Sequence, residues 1–119
     1  MEPMKSMILH TRKTELPSSL NVHEDDHVLT KTGFGFFATT NVRDLLKLHN
    51  IDTIFLAGIS TSGVILNTVC EAVDLDYHLF VLSDGCYDPQ PEVHDLLIKD
   101  VIPRRADILS IEEYKQIPL

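Results

Sequence analysis

The chain predicts a three-layer α/β/α domain with a mostly parallel sheet, and three observations carry that expectation. Short apolar runs of bulky residues recur at Thr53–Ala57, His78–Ser83 and Ala106–Leu109, the pattern of strands buried on both faces of a parallel sheet. Between them, Val64, Ile65, Thr68, Val69 and Ala72, and then Val93, Leu96 and Leu97, return at helical spacing. Strand, helix, strand, helix in this order argues for βαβ units with right-handed crossovers. At 119 residues the chain bounds one domain, residues 1–119, large enough for a core.

The elements follow in order. Ser6–Thr11 reads as a first strand, and the polar, proline-containing stretch 12–26 as a loop. Val28–Thr30 is short and extended, with Lys31 at the turn into Gly33-Phe-Gly-Phe-Phe37. Thr40 or Asn41 caps a helix ending near Asn50, whose apolar stripe is Val42, Leu45, Leu46 and Leu48. Thr53–Ala57 ends at Gly58, after which Ser60, Thr61 and Ser62 can each cap the next helix. His78–Ser83 closes at Asp84-Gly85, and Pro91 suits the first turn of a helix running to about Lys99, with Val101 turned inward beyond it. After the last strand, Ser110-Ile-Glu-Glu113 matches a capping box.

Composition narrows the class of function. A net charge of -8 with scattered basic residues leaves no electrostatic footprint for nucleic acid or an anionic membrane. No apolar run approaches the roughly 20 residues of a spanning helix, and the N-terminal residues lack the apolar core of a leader, so a cytoplasmic location is expected. In that reducing setting Cys70 and Cys86 are expected as free thiols.

The stretch from Gly58 to Thr68 resembles the strand-to-helix loop of the isochorismatase-like hydrolases, or cysteine hydrolases, which reads G-x-x-T-x-x-C-V-x-x-T. Gly58, Thr61 and Thr68 fall on the pattern, and Val64 occupies the position of the nucleophilic cysteine. A valine offers no lone pair to a carbonyl carbon, so covalent catalysis from this position is excluded. Thr30-Lys-Thr-Gly-Phe-Gly-Phe-Phe37 resembles the family's K-x-x-x-x-x-F segment, which implies Lys31 as the surviving member of an Asp-Lys-Cys triad. The family's aspartate lies on a first strand with no counterpart here, and Asp25 and Asp26 do not match its motif. The resemblance thus implies the family fold lacking its usual first strand, and an unpaired strand edge where that strand would lie. Asp76-Tyr77, Asp84-Gly-Cys-Tyr-Asp88 and Pro91-Glu-Val-His94, with the variant loop, resemble a cysteine-less branch of the family.

The turn is a candidate site in its own right. Backbone N–H groups of Ser62 and Gly63 at a helix start form a modest anion site, in keeping with the oxyanion role the loop has in relatives. Ser60, Thr61, Ser62, Gly63 and Phe37 are the candidate substrate-binding residues, and the resemblance implies a non-proline cis peptide at Ile59-Ser60. The plain alternative is an ordinary helix cap with no ligand. Lys31, without the resemblance, is an ordinary turn lysine.

Other residues have bland alternatives too. His23-Glu-Asp-Asp-His27 has the letters of a zinc-protease motif but no apolar helical face, so no metal site is expected. Cys70 lies six residues past Val64, about 240° around the helix, and reads as a core thiol. Cys86 could lie near the site mouth, Asp84 suits either a site wall or a turn, and His94 suits capping or packing.

Three readings of function stay open. The chain is a hydrolase-family protein impaired by loss of the triad Asp and Cys, or a pseudoenzyme that binds a ligand or partner, or a truncated gene product of a small-molecule hydrolase. The implied ligand is a small carbonyl, amide or enol-ether compound, with no cofactor, and a homo-oligomer is expected.

Overall fold

The computed structural model describes residues 9–11 and 23–118. Within them β1 (Leu9–Thr11) pairs in parallel with β2 (His27–Leu29) as a two-stranded sheet. A second parallel sheet has the order β3 (Thr53–Ile59), β4 (His78–Tyr87), β5 (Asp107–Leu109). The helices are α1 (Val42–Leu48), α2 (Leu66–Asp74), α3 (Pro91–Leu96) and α4 (Ile111–Lys115). A wide opening turn, Thr61–Ile65, leads into α2, and α3 runs on through Leu97–Val101 and Ile102–Arg104. The parallel α/β fold is the one expected.

Strand alternation explains the layers. Ile54 and Leu56 sit beside Leu79 and Val81 in the β3–β4 register, and these four face Ile65, Val69 and Ala72 together with Leu97, Ile102 and Ala106. Val69, Val81 and Ile102 are 0 % exposed there, so this is the dry layer of the protein. The alternate residues Phe55 and Phe80 point to the other face, stacked with centroids 4.8 Å apart, and Tyr114 of α4 meets Phe55 edge-on at 5.0 Å. Helices thus lie on both faces of the sheet.

Several expectations need correcting. Thr53–Ala57 is not buried on both faces: Thr53 to Leu56 are half-buried and Ala57 is exposed. Its outer edge pairs with no strand among the described residues, and Tyr114 of the short α4 reaches Phe55 on its second face. Gly58 and Asp84-Gly85 do not end their strands. The register slips between Leu56 and Gly58, and pairing resumes at Gly58 with Cys86 and Ile59 with Tyr87. Gly58 needs φ +152°, and a Cβ on Gly85 would stand 3.1 Å from the Ala57 Cβ, so glycine here continues the strands rather than stopping them.

Leu48 is 73 % exposed and leaves the stripe, which is Val42 and Leu46 with Leu45 half-buried. The helix opened by Pro91 outlasts Lys99 by one turn of different pitch; Val101 packs half-buried against the core as expected, whereas Leu96, also expected inward, is exposed. At the start of α1 the Thr40 hydroxyl accepts from Val42 N–H at 3.2 Å, and the Asn41 side chain makes no cap. Ser110 and Glu113 form the expected reciprocal cap, at 3.0 and 2.9 Å. Of the first strand expectation, residues 6–8 lie outside the described residues, as do 12–22 of the loop.

The packing has a direct test in urea unfolding. Leu79→Ala, at a residue 1 % exposed, is expected to cost about 2–5 kcal/mol. Leu48→Ala is expected to stay within about 0.5 kcal/mol of the parent.

Candidate functional site

The carboxyl end of β3 delivers the chain through a cis Ile59-Ser60 peptide into the opening turn of α2, as the resemblance implies. Ser60 caps that turn: its hydroxyl accepts from Gly63 N–H at 3.1 Å, and its carbonyl accepts from Gly63 and Ile65 N–H at 3.2 and 3.3 Å. The bond to a residue five positions on makes the turn wide. A Cβ on Gly63 would lie 2.6 Å from the Ser60 hydroxyl, so glycine is required by this cap.

Two side chains from the β4–α3 junction then clamp the turn. Asp88 is 6 % exposed, and its Oδ2 accepts from both Ser62 N–H at 2.9 Å and Ser62 Oγ–H at 2.6 Å. Oδ1 accepts from Gln90 N–H at 3.1 Å, which also shapes the approach to α3. One turn further, His94 Nδ1 shares a 2.7 Å hydrogen bond with the Thr61 hydroxyl, whose residue is 0 % exposed. The Ser62 bonds hold the Asp88 carboxyl below the usual carboxylate range, with the Gln90 amide and the nearby His94 adding to the effect against its burial.

This arrangement revises the expected anion site. The Ser62 amide already donates to a carboxylate and the Gly63 amide to Ser60, so both named donors have acceptors within the protein. Thr61 is sealed inside by His94, while Ser62 stays exposed at the surface. Val64 is half-buried and packs against the core, its Cγ1 3.8 Å from where a Cβ on Gly58 would be.

A third segment, residues 31–40, is tied to α2 by the helix's own side chains. Thr68 Oγ1 accepts from Phe36 N–H at 3.0 Å, and the Glu71 carboxylate from Phe37 and Ala38 N–H at 3.2 and 2.8 Å. The loop also closes on itself, because Thr39 Oγ1 accepts from Thr32 and Gly33 N–H at 3.3 and 3.2 Å. Lys31 is half-buried at its start, and its ammonium donates to the Gly33 carbonyl rather than to a carboxylate. Phe37, expected at the site, packs instead on Tyr77 with centroids 5.4 Å apart, toward the amino end of β4. Phe34 is the aromatic beside the turn, with Cδ1 3.8 Å from where a Gly63 Cβ would stand.

The remaining candidates fall into structural roles. Asp84 accepts from Ile111 N–H at 2.8 Å and so fixes the start of α4. Cys86 lies beside Gly58, and burial pushes its thiol up, with the Asp84 charge adding to that and a hydrogen bond from Gly58 opposing it. It stands protonated at neutral pH and is a poor nucleophile. Cys70 is half-buried and, like Cys86, a free thiol. His23 lies in a tight turn, its N–H donating to Asp26 at 2.9 Å, and His27 opens β2, so the two imidazoles do not share a helix. Asp88 is the residue that sequence reasoning passed over. Its place three residues before a helix-opening proline was a signal for a side-chain cap, but not for a bond to Ser62.

The comparisons with known proteins fit this geometry. An isochorismatase domain model matches residues 2–113. An uncharacterized isochorismatase family protein of Escherichia coli O157:H7 is 31 % identical over 111 residues, covering 93 % of this chain and 59 % of that protein. A protein of Arabidopsis thaliana named a probable inactive nicotinamidase is 33 % identical over 102 residues, 84 % of this chain and 52 % of its own. The chain therefore spans little more than half the length of these relatives. Among solved structures, an isochorismatase-like hydrolase from Alkaliphilus metalliredigens superposes with a TM-score of 0.82 at 23 % identity, over 92 % of this chain and 70 % of that one.

Two predictions follow from the clamp and the docked loop. Asp88 has a lowered folded pKa, so its stabilisation is complete above the ordinary carboxylate value of about 4 and is lost as pH falls through the folded value. The difference in urea midpoint between the parent and Asp88→Ala is thus expected to be constant from pH 7 to 5 and to close below pH ~4. A Cβ on Gly35 would lie 1.8 Å from Glu71 Oε1, so Gly35→Ala is expected to cost about 1–3 kcal/mol by breaking the Glu71 bonds. Much of that loss disappears when Glu71→Ala is already present, read by the same melts.

Proposed function

The chain belongs to the isochorismatase family, and from that premise we propose that it is a member whose hydrolytic chemistry is impaired. The observation that carries this is Val64 at the position from which a thiolate would attack. Two features among the described residues support it: Ser62 Oγ–H donates to a carboxylate held below its usual range, and burial pushes the Cys86 thiol up. The Lys31 ammonium, engaged with the Gly33 carbonyl, is left to act as a fixed positive charge.

A second reading is that the chain binds a small carbonyl, amide or enol-ether ligand, or a partner, without turning it over. The exposed Ser62 beside Phe34 and the half-buried Lys31 support it. A cytoplasmic location belongs to the same proposal; no described helix is long and apolar enough to cross a membrane.

Direct assay separates these readings. The purified chain is expected to release no ammonia from nicotinamide and no pyruvate from isochorismate above the buffer rate. Turnover that vanishes in Lys31→Ala would overturn the proposal. Under the second reading, nicotinate or benzoate raises the melting temperature of the parent and not of Lys31→Ala; no shift in either counts against ligand binding.

A further inference from the structure

A serine hydroxyl has one hydrogen and two lone pairs, and at Ser62 the structure commits the hydrogen. Its Oγ–H donates to Asp88 Oδ2 at 2.6 Å, and the Ser62 backbone N–H donates to the same oxygen at 2.9 Å. Asp88 is 6 % exposed, and its other oxygen accepts from Gln90 N–H at 3.1 Å, so the carboxylate is gripped at both ends. The Ser62 bonds hold it below the usual carboxylate range, and it is ionised at neutral pH. Ser62 itself is exposed. Its hydroxyl therefore shows solvent only lone pairs, with a fixed negative charge one hydrogen bond behind them.

We propose that Asp88 is the specificity-determining residue of the turn, setting Ser62 to accept from a ligand's N–H and to turn a carboxylate away. The inference rests on the second reading above, that the turn binds a small ligand, and names the group it prefers: a neutral carboxamide over the acid of the same skeleton. An amide N–H meets the Ser62 oxygen as a donor, whereas a carboxylate brings lone pairs to lone pairs and a second negative charge to the first. The start of α2 offers an anion little in return, because the Ser62 amide already faces Asp88. His94 is half-buried, and its Nδ1 is engaged by Thr61. Lys31 is the counterweight on the neighbouring loop, a cation that favours the acid while its ammonium holds the Gly33 carbonyl.

Nicotinamide and nicotinate share one skeleton and differ in this group, so their dissociation constants at pH 7 test the inference. The parent is expected to bind the amide about tenfold more tightly than the acid. Asp88→Asn removes the charge and keeps an acceptor for the Ser62 amide; there the preference is expected to vanish or to reverse toward the acid, which Lys31 still attracts. Asp88→Ser serves as a second variant should the first unfold. A merely structural role for Asp88 would weaken both ligands together and leave their ratio unchanged, which overturns the inference. A parent that prefers nicotinate also overturns it, and in both cases the second reading stands. If neither compound binds the parent at up to about 10 mM, the second reading and the inference fall together.

Discussion

The burial of one face of α2 against β4 is the constraint on which the rest depends. Ile65, Val69 and Ala72 close over Leu79 and Val81, with Leu97 and Ile102 completing the layer, and none of these residues is more than 7 % exposed. Once α2 is seated, its opening turn is fixed at the carboxyl end of β3. Its other side chains are fixed too: Thr68 and Glu71 reach out of the packed face to receive the amides of residues 36–38. The loop that carries Phe34, Phe36 and Phe37 is thereby held by acceptors on a rigid helix.

The turn is the place where ligands gather in parallel α/β folds, yet here its polar groups are largely satisfied from within. Asp88 supplies the negative charge that an anion would bring, and His94 shares a hydrogen bond with the Thr61 hydroxyl. Such internal pairing stabilises the turn, because buried polar groups without partners are costly. It also leaves less binding energy for an incoming ligand.

The two sheets, and a β3 that pairs on one side among the described residues, bear on the rest of the fold. A parallel strand normally hides both its faces and both its edges, and among the described residues β3 has one edge paired, against β4. Its exposure reconciles a run of residues suited to a sheet interior with their half-buried state, and on that face Tyr114 meets Phe55 while His78 packs on Phe80.

Much of the fold was legible in the residues themselves. Helical spacing located α2, Pro91 and Ser110 marked helix starts, and the apolar runs located β3, β4 and β5, because these depend on local periodicity and on capping groups a few positions apart. The family resemblance likewise anticipated the cis peptide at Ile59-Ser60. What the tertiary structure alone decided are matters of long-range pairing. The Asp88–Ser62 bond joins residues 26 apart, and the Phe37 amide meets Glu71 across 34. Phe37 faces Tyr77 while Phe34 faces the turn. Local pattern states which residues seek burial or a hydrogen-bond partner; only the folded arrangement of distant segments selects the partner each one finds.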